Sequence, residues 1–244
     1  MMTSGVHSGE TLDDLLFGEL KIIQKRKGFR YSVDALLISD FVLPGIRANQ
    51  KIMDLGSGSG VISLILAKRS KARKIIGMEI QKSLAEMAKR NVILNRLQNR
   101  IKILNCDARN LNQTFPPNSF DLIVSNPPFR KVGTGMLSRN RERAIARYEL
   151  KLKMPELIKV CENVLKPRGK AVLIYPFERL WELVEELDQS QLKVSRLKFA
   201  YHQKGDPLPI LFCIELKKVK TALKLDPPWF IETEKARFHL DRDH

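Results

Sequence analysis

The chain has 244 residues, of which 43% are hydrophobic and 29% are charged, and its formal net charge is +16 at pH 7. Length and composition predict one or at most two compact domains with a sizeable core and exclude a disordered or collagen-like polymer. Three cysteines without a Cys-x-x-Cys pairing suggest neither a disulfide framework nor a zinc site, and apolar runs far shorter than the roughly 20 residues that span a bilayer predict a cytoplasmic protein.

The positive charge is placed unevenly along the chain. Residues 1 to 20 carry four acidic and no basic residues, whereas residues 21 to 30 carry five basic ones. A large net positive charge favours a polyanionic partner such as a nucleic acid, because basic clusters attract phosphate backbones. Composition alone leaves open the alternative of a soluble protein that is simply basic.

The first predicted element is a helix over Phe29 to Leu43, entered through Ser32, with Asp34 in its first turn. From about residue 50 onward, short apolar runs alternate with helical patterns, which is typical of parallel strands joined by crossover helices. The predicted strands are Lys51 to Leu55, Lys74 to Ile80, Arg100 to Leu104, Phe120 to Ser125 and Lys170 to Pro176, and the predicted helices are Val61 to Lys68, Lys82 to Asn95, Leu150 to Leu165 and Glu178 to Leu187. Two later strand-like stretches, Leu192 to Ala200 and Ile210 to Leu216, predict an antiparallel edge, so the α/β sheet has seven strands.

A glycine-rich turn follows the first of these strands and opens a helix. Its sequence, Asp54-Leu-Gly-Ser-Gly-Ser-Gly60, allows a ligand to approach the backbone closely. It differs from the dinucleotide pattern Gly-x-Gly-x-x-Gly, because Val61 stands where the third glycine is required, and no Gly-Lys-Ser/Thr follows as in a Walker loop. The alternative is a turn that only joins a strand to a helix.

Two acidic residues end the next two predicted strands. Glu79 can accept hydrogen bonds from both hydroxyls of a ribose, and Asp107 can accept one from an adenine amino group. Carboxyl ends of successive parallel strands form the ligand-binding edge of an open α/β sheet, so the two acids are expected on one edge. Each acid alone is also compatible with a solvated strand end.

The ordered set of Asp54, three alternating glycines, Glu79 and Asp107 resembles that of class I S-adenosylmethionine-dependent methyltransferases. The resemblance implies a single Rossmann-like class I domain with a seven-stranded, mostly parallel sheet, helices on both faces and an antiparallel edge. It also implies S-adenosylmethionine as cofactor, with the glycine turn at its methionine part, Glu79 at the ribose and Asp107 at the adenine. The cofactor-binding residues so implied are Asp54, Gly56, Ser57, Gly58, Gly60, Glu79, Asp107, Ala108 and Asn126.

Four residues, Asn126-Pro-Pro-Phe129, follow the fourth predicted strand of the sheet. The two prolines fix the backbone and remove N–H donors, which leaves outward-pointing carbonyl acceptors. The Asn126 side-chain oxygen and the Pro127 carbonyl can each accept one hydrogen of a planar amine, while Phe129 stacks on its ring. Asn126, Pro127, Pro128 and Phe129 are therefore the candidate catalytic residues, and a rigid turn after a strand is the alternative.

The tetrad is similar to the Asn-Pro-Pro-Phe/Tyr/Trp motif of methyltransferases that act on adenine N6, guanine N2 or a release-factor glutamine. The segments Gly28-Phe-Arg-Tyr-Ser-Val-Asp34-Ala-Leu-Leu37 and Ala144-Ile-Ala-Arg147-Tyr-Glu149 resemble the valine-tRNA adenine-N6 methyltransferase family. This second resemblance implies an enzyme that forms N6-methyladenine in tRNA beside the anticodon. The alternatives are guanine-N2 methylation of ribosomal RNA, glutamine-N5 methylation of a release factor, and a non-catalytic RNA-binding protein on this fold.

A basic segment follows the tetrad directly. Between Phe129 and Lys153 the chain carries eight basic and two acidic residues. Such a segment can hold phosphates beside a base extruded into a pocket, and a solvated basic surface is the alternative. The predicted substrate-binding residues are Phe129, Arg130, Lys131, Arg139, Arg141, Arg143 and Arg30.

These observations divide the chain into three parts. We predict an N-terminal extension with a helix at 1–48, an S-adenosylmethionine-dependent methyltransferase domain at 49–220 and a C-terminal tail at 221–244. RNA, above all tRNA, is the expected partner, and we expect neither a membrane nor a metal to take part.

Overall fold

The computed structural model describes residues 5–28, 30–129, 149 and 151–233. Its strands are β1 (Glu10–Leu15), β2 (Leu20–Lys25), β3 (Lys51–Leu55), β4 (Lys74–Glu79), β5 (Ile101–Asn105), β6 (Phe120–Ser125), β7 (Leu165–Pro176), β8 (Lys193–Tyr201), β9 (Leu211–Lys217), β10 (Lys224–Leu225) and β11 (Trp229–Phe230). Its α-helices are α1 (Val33–Val42), α2 (Val61–Arg69), α3 (Lys82–Leu94), α4 (Leu111–Thr114), α5 (Met154–Val164) and α6 (Leu180–Asp188).

The large sheet has the strand order β10-β8-β9-β7-β6-β3-β4-β5, and β11 also pairs with β8. Strands β3 to β7 run parallel to one another, whereas β9 lies antiparallel to both β7 and β8. The seven predicted strands and the antiparallel edge are thus confirmed. The two-residue strands β10 and β11 are additional, because so short a pairing leaves no periodicity in the sequence.

Helices cover both faces of this sheet because its strand residues are buried on alternating sides. In β6, Leu122 and Val124 belong to a core formed with α1, α2 and α3. Their neighbour Ile123 belongs to a second core formed with α5 and α6. All three side chains are completely buried. This confirms the predicted α/β class with helices on both faces.

The first helix is shorter than its predicted range of Phe29 to Leu43. Phe29 lies outside the described residues, and α1 begins at Val33. The preceding stretch is held against β2, because the Tyr31 N–H donates to the Gln24 side chain at 3.1 Å. A tertiary hydrogen bond therefore delays the start of the helix.

The helix predicted over Leu150 to Leu165 is also shorter at both ends. It begins at Met154, where the backbone N–H of Lys153 donates to the Glu156 carboxylate at 2.8 Å. It ends because Leu165 already pairs with β6. The strand β7 accordingly starts at Leu165, the last residue of the predicted helix.

The hairpin of β1 and β2 was not predicted. Its register places Asp14 opposite Lys21 and Glu10 opposite Lys25, so the acidic and basic stretches of the N-terminus face each other across the two strands. The connecting turn contains two residues with positive φ that are not glycine, Leu16 at 52° and Phe17 at 58°. Such residues give no turn signal in a sequence, which explains the omission.

Asn91 of α3 and Asn95, the residue that caps the end of this helix, cover the outer edge of β2. Asn91 accepts the Ile23 N–H at 2.6 Å and donates to the Ile23 carbonyl at 3.0 Å. Asn95 makes the same pair of bonds with Lys21, at 2.9 and 2.7 Å. Residues four apart on a helix and two apart on a strand are separated by similar distances, about 6 and about 6.7 Å, so the two patterns match. The hairpin is thereby anchored to the helix that follows β4.

The described part of the chain was compared with the expectations on membrane spans, metal sites and disulfides. It contains no helix that is long and apolar enough to cross a membrane. It also contains no group of three or more His, Cys, Asp or Glu side chains arranged to hold a metal ion. The three cysteines are free thiols, and Cys161 and Cys213 are buried.

Candidate functional site

The carboxyl ends of four adjacent parallel strands meet at one edge of the sheet. The chain adds β4 and β5 on one side of β3 and then returns to place β6 on the other side, so the direction of strand addition reverses beside β3. Open α/β sheets bind ligands at such a reversal. Gly56 follows β3, Glu79 ends β4, Asp107 follows β5 and Asn126 follows β6, and all four line one cavity of about 290 Å³.

Most of the predicted site residues surround this cavity. Those that line it are Arg30, Gly56, Gly58, Glu79, Asp107, Ala108, Asn126, Pro127, Pro128 and Phe129. The other lining residues are Ser32, Asp34, Leu55, Met78, Ile80, Gln81, Leu84, Cys106, Lys151 and Leu152. The structure therefore brings the tetrad and the strand-end acids, which are distant in sequence, to one place.

Gly56 forms the part of the cavity wall that a side chain would obstruct. Its N–H donates to the Met78 carbonyl at 2.9 Å, and its φ is +79°, in the left-handed region. A Cβ built on Gly56 has no other atom within 4 Å, so a side chain would enter the ligand space. The backbone conformation and the open space both favour glycine at this position.

Three residues of the predicted cofactor set lie behind the cavity wall rather than on it. Asp54 is completely buried, and one carboxylate oxygen accepts the N–H and the hydroxyl of Ser63 at 3.0 and 2.7 Å. Burial raises the pKa of Asp54 to about 6. Ser57 is buried, and Gly60 caps α2 at φ +87°, where a Cβ would lie 3.3 Å from that of Ala88. These residues shape the turn from inside.

Glu79 connects the glycine turn to the end of β4. Its side chain is buried, and its two carboxylate oxygens accept the N–H of Gly58 at 2.9 Å and the N–H of Gln81 at 2.8 Å. These backbone donors fix the carboxylate on the cavity wall. A carboxylate oxygen can accept more than one hydrogen bond. This arrangement therefore suits a ligand with hydroxyl donors.

Asp107 is held by a residue that the sequence reasoning did not select. Both of its carboxylate oxygens accept hydrogen bonds from the Arg109 guanidinium, at 3.0 to 3.1 Å from Nε and 2.6 Å from Nη2. This hydrogen bonding lowers the pKa of Asp107, so the group is an ionised acceptor at neutral pH. The Asp-x-Arg spacing was the available signal for Arg109.

The tetrad occupies the end of β6 beside the end of β3. The Ser125 hydroxyl donates to the Leu55 carbonyl at 2.7 Å, which fixes these two strand ends to each other. Asn126 is half-buried, and within the described part of the chain its side-chain amide has no hydrogen-bond partner. Asn126 itself lines the cavity.

Arg30 lines this cavity and also a second one of about 400 Å³, and the two cavities share Phe129. The Arg30 guanidinium donates to Asp13 and to Thr11 on β1, each at 3.0 Å. The hairpin thus places Arg30 at the site. The remaining predicted substrate residues, Arg130, Lys131, Arg139, Arg141 and Arg143, lie outside the described residues.

Ser32, Asp34 and Lys151 also line the cavity but were not selected from the sequence as site residues. Ser32 and Asp34 were interpreted as helix-start residues, yet the Ser32 side chain makes no capping hydrogen bond. Burial raises the pKa of Asp34. Lys151 was placed inside a predicted helix, whereas it precedes α5.

Comparison with known proteins shows a family match over most of this region. The family model described as "Methyltransferase small domain" matches residues 32–177. A tRNA1(Val) (adenine(37)-N6)-methyltransferase of Porphyromonas gingivalis is 33% identical over 175 residues, which cover 70% of this chain and 68% of that protein. The protein with the same name from Shewanella woodyi is 32% identical over 173 residues, covering 70% and 69%.

Solved structures share the fold at lower identity. A predicted O-methyltransferase of Agrobacterium tumefaciens has a TM-score of 0.61 at 19% identity and covers 81% of this chain and 86% of that chain. A SAM-dependent methyltransferase of Aquifex aeolicus has a TM-score of 0.55 at 18% identity and covers 78% and 94%. Both similarities concern the fold.

Proposed function

Because this chain belongs to the methyltransferase small domain family and to the family of the tRNA1(Val) (adenine(37)-N6)-methyltransferases, we propose that it methylates the N6 amino group of an adenine beside the anticodon of a tRNA. The chain is an S-adenosylmethionine-dependent N-methyltransferase. The observation that carries the proposal is the convergence of Glu79, Asp107 and the tetrad from Asn126 to Phe129 on one cavity.

The described residues fit S-adenosylmethionine. Gly56 leaves open space on the cavity wall, Glu79 offers a fixed carboxylate to ribose hydroxyls, and Asp107 offers an ionised carboxylate to an adenine amino group. Gly58 and Ala108 line the cavity beside them and would hold the cofactor through close backbone approach. When bound, S-adenosylmethionine supplies a methyl group carried on a positively charged sulfur.

The tetrad would hold the target amine. The Asn126 side-chain oxygen and the Pro127 carbonyl each accept one amino hydrogen, which draws the nitrogen lone pair out of conjugation with the ring. Phe129 stacks on the ring and fixes its plane, and Pro128 fixes the backbone between them. Transfer is an in-line displacement, so most of the rate comes from orienting the lone pair.

Proton release needs no dedicated base in this scheme. The methylated nitrogen is positively charged immediately after transfer and is acidic enough to release its proton to solvent. The residues of this chain therefore act by orienting the amine and by excluding competing geometries rather than by general base catalysis.

The RNA would be held by positive charge around the tetrad. Arg30 and Lys151 line the cavity, and Arg130, Lys131, Arg139, Arg141 and Arg143 follow Phe129 in the sequence. Lysine and arginine side chains bind phosphates and position a nucleic acid without reading its sequence. We propose that these residues hold the backbone beside the target nucleotide.

Nucleoside mass spectrometry tests the substrate. The protein is incubated with isotopically labelled S-adenosylmethionine and either unmodified total tRNA, ribosomal RNA or a release factor. We expect labelled N6-methyladenine in tRNA alone. Labelled N2-methylguanine in ribosomal RNA, label in a release-factor glutamine, or no turnover on any substrate would each support a different alternative.

The variant Asn126→Ala tests the chemistry. We expect turnover to fall by about 100-fold or more, because one acceptor for the amine is lost, while cofactor binding is retained. Isothermal calorimetry measures the cofactor affinity, and transfer of labelled methyl groups measures turnover. Asn163→Ala, at an exposed position of α5, is the matched control and should leave both unchanged. Retained turnover in Asn126→Ala would overturn the role of the tetrad.

A further inference from the structure

We propose that Arg179 is a positioning residue for the transfer reaction, which it serves by fixing the backbone of Phe129. Its guanidinium Nη1 donates to the Phe129 carbonyl, although the two residues are far apart in sequence. The kinetic part of this inference rests on the proposed function, because it assigns the Phe129 ring to the target base.

Arg179 is placed at the site edge by the strand that precedes it. It ends a single turn of 3-10 helix, Phe177–Arg179, that follows directly on the carboxyl end of β7. Its side chain is only 8% exposed, and its guanidinium carbon lies 5.7 Å from the centre of the Tyr175 ring. The charge is thus buried beneath the tetrad rather than directed to solvent.

Two carboxylates hold the guanidinium in a fixed orientation. Nη2 donates to Glu149 at 3.0 Å, and Nε and Nη2 donate to the two oxygens of Glu182 at 2.8 Å each. Glu149 is as buried as Arg179, with 9% of its side chain exposed. With Nε and Nη2 bonded to the two carboxylates, Nη1 is the nitrogen that donates to the Phe129 carbonyl.

Stability alone is a poor explanation for this buried ion pair. Removing two charges from water costs several kcal/mol per ion, and apolar replacements of such pairs are often neutral or stabilising. The more specific consequence is geometric, because a rigid guanidinium fork orients its partners. Here the partner is the backbone carbonyl of Phe129, and the ring of Phe129 is assigned to the target base.

Only the Phe129 end of the tetrad lacks a backbone restraint of its own. Pro127 and Pro128 restrict the backbone before Phe129, whereas no proline restricts Phe129 itself. The bond from Arg179 to the Phe129 carbonyl supplies the missing restraint. Because misplacing a reacting group by about 1 Å costs about 100-fold in rate, a loose Phe129 would affect turnover before it affected cofactor binding.

Arg179 also joins two residues that are separated by residues 130–148 in the sequence. Phe129 precedes residues 130–148 and Glu149 follows them, and both contact the same guanidinium. Phe129, which is assigned to the target base, and Glu149 are therefore held by the same Arg179 guanidinium.

The test compares Arg179→Lys with Arg168→Lys in the full chain. Lysine keeps the positive charge beside Glu149 and Glu182 but cannot make all the bonds of the fork. We expect kcat on tRNA to fall by about 10- to 100-fold, with KM for tRNA and the Kd of S-adenosylmethionine changed by less than about 3-fold. Arg168, exposed near the opposite end of β7, is the control and should leave all three unchanged.

A double-mutant cycle with Phe129→Ala separates positioning from general damage. If Arg179 acts through the Phe129 ring, Arg179→Lys has no further effect on kcat once that ring is absent. Equal losses in both backgrounds, or a parallel loss of cofactor affinity, would overturn the proposal. Should Arg179→Lys fail to fold, Arg179→Gln combined with Glu149→Gln removes the buried charges together and takes its place.

A substrate-free measurement keeps this inference separate from the proposed function. A single trifluoromethyl-phenylalanine is introduced at position 129 and observed by fluorine NMR. With Arg179 present we expect one resonance distinct from that of the unfolded chain, and Arg179→Lys should move it toward the unfolded position. An unchanged resonance contradicts the anchoring role, whatever the protein methylates. No turnover by the wild type on any RNA would instead count against the proposed function alone.

Discussion

Asp54 illustrates how a single buried carboxylate shapes the site from behind the cavity wall. One of its oxygens accepts two hydrogen bonds from Ser63, in the first turn of α2, so it ties the end of β3 to the helix that the glycine turn opens. Its pKa is raised to about 6, chiefly by burial and to a smaller extent by the nearby Glu79 charge. The ionised form of Asp54 is therefore less favourable in the folded protein than in the unfolded chain.

This raised pKa predicts a pH-dependent cost to stability that Asp54→Asn removes. An unfolded aspartate has a pKa of about 3.9, so between pH 4 and 6 the unfolded chain releases this proton before the folded chain does. The free energy of unfolding of the wild type should fall relative to that of Asp54→Asn as pH rises from 4 to 7. We expect a change on the order of 2 to 3 kcal/mol, measured by urea unfolding at several pH values.

The sign of the effect is the informative part of this prediction. Stability from the protonated carboxyl is present below pH 4 and is lost as pH rises through about 6. Asp188→Asn, at an exposed position of α6, controls for the loss of one charge. Parallel pH profiles for the wild type and Asp54→Asn would show that the buried carboxyl has an ordinary pKa.

At the scale of elements, the N-terminal hairpin is joined to the site through α3. Asn91 bonds both backbone groups of Ile23 on β2, and its remaining amide hydrogen donates to the Ser59 carbonyl in the glycine turn at 2.9 Å. The buried ion pair of Arg90 with Glu10, at 2.5 Å, anchors β1 to the same helix. Because Arg30 is held by β1, the hairpin also sets one side of both cavities.

We predict that Asn91→Ala destabilises the fold much more than Asn95→Ala does. The first change leaves buried backbone groups of Ile23 and Ser59 without partners, which costs about 2 to 4 kcal/mol. The second removes equivalent bonds to Lys21 at an exposed place, where water replaces them, and costs about 1 kcal/mol or less. Urea unfolding measures both, and equal losses would mean that burial does not decide the cost.

At the scale of the whole molecule, much of the positive charge falls in one stretch of the sequence. The stretch from Phe129 to Lys153 has a net charge of +6 within a chain of +16, and it directly follows the tetrad. In contrast, the acidic and basic stretches of the N-terminus lie opposite each other in the hairpin and offset each other. Net charge alone therefore overstates how much of the surface is available to phosphates.

Replacing Arg139, Arg141 and Arg143 with serine should weaken tRNA binding and make it less sensitive to salt. Each phosphate contact contributes roughly 0.7 to 0.9 to the slope of log affinity against log salt, so the slope should decrease by about 2 to 3. Filter binding at several salt concentrations measures the slope, and calorimetry should show unchanged cofactor affinity.

The matched control for this charge change is the triple serine variant of Lys71, Arg73 and Lys74. These residues are exposed at the amino end of β4, on the side of the sheet opposite the cavity. The control removes the same net charge but should leave the slope unchanged. The same loss of slope in both variants would mean that total charge, rather than the segment after the tetrad, governs RNA binding.

Much of the fold was predictable because its signals are local. Each strand of the parallel sheet is a short apolar run, and each crossover helix has its own periodicity, so strands such as Phe120 to Ser125 were placed correctly. The hairpin was missed because two residues of its turn, Leu16 and Phe17, are not typical turn residues. The predicted helices were too long because residues at their ends bond to neighbouring strands instead. The proposed domain boundaries at residues 48 and 220 stay predictions.

By itself the sequence determined the α/β class, the seven strands and the order of the motifs along the chain, because periodicity and motif spacing are properties of neighbouring residues. Only the tertiary structure decided which of those residues face the cavity. It placed Asp54 and Gly60 behind the wall, added Asp34 and Lys151 to the lining, and set Arg179 beneath Phe129. Such contacts join residues from different elements. The distance between two elements is not a property of neighbouring residues, so it leaves no pattern in a single sequence.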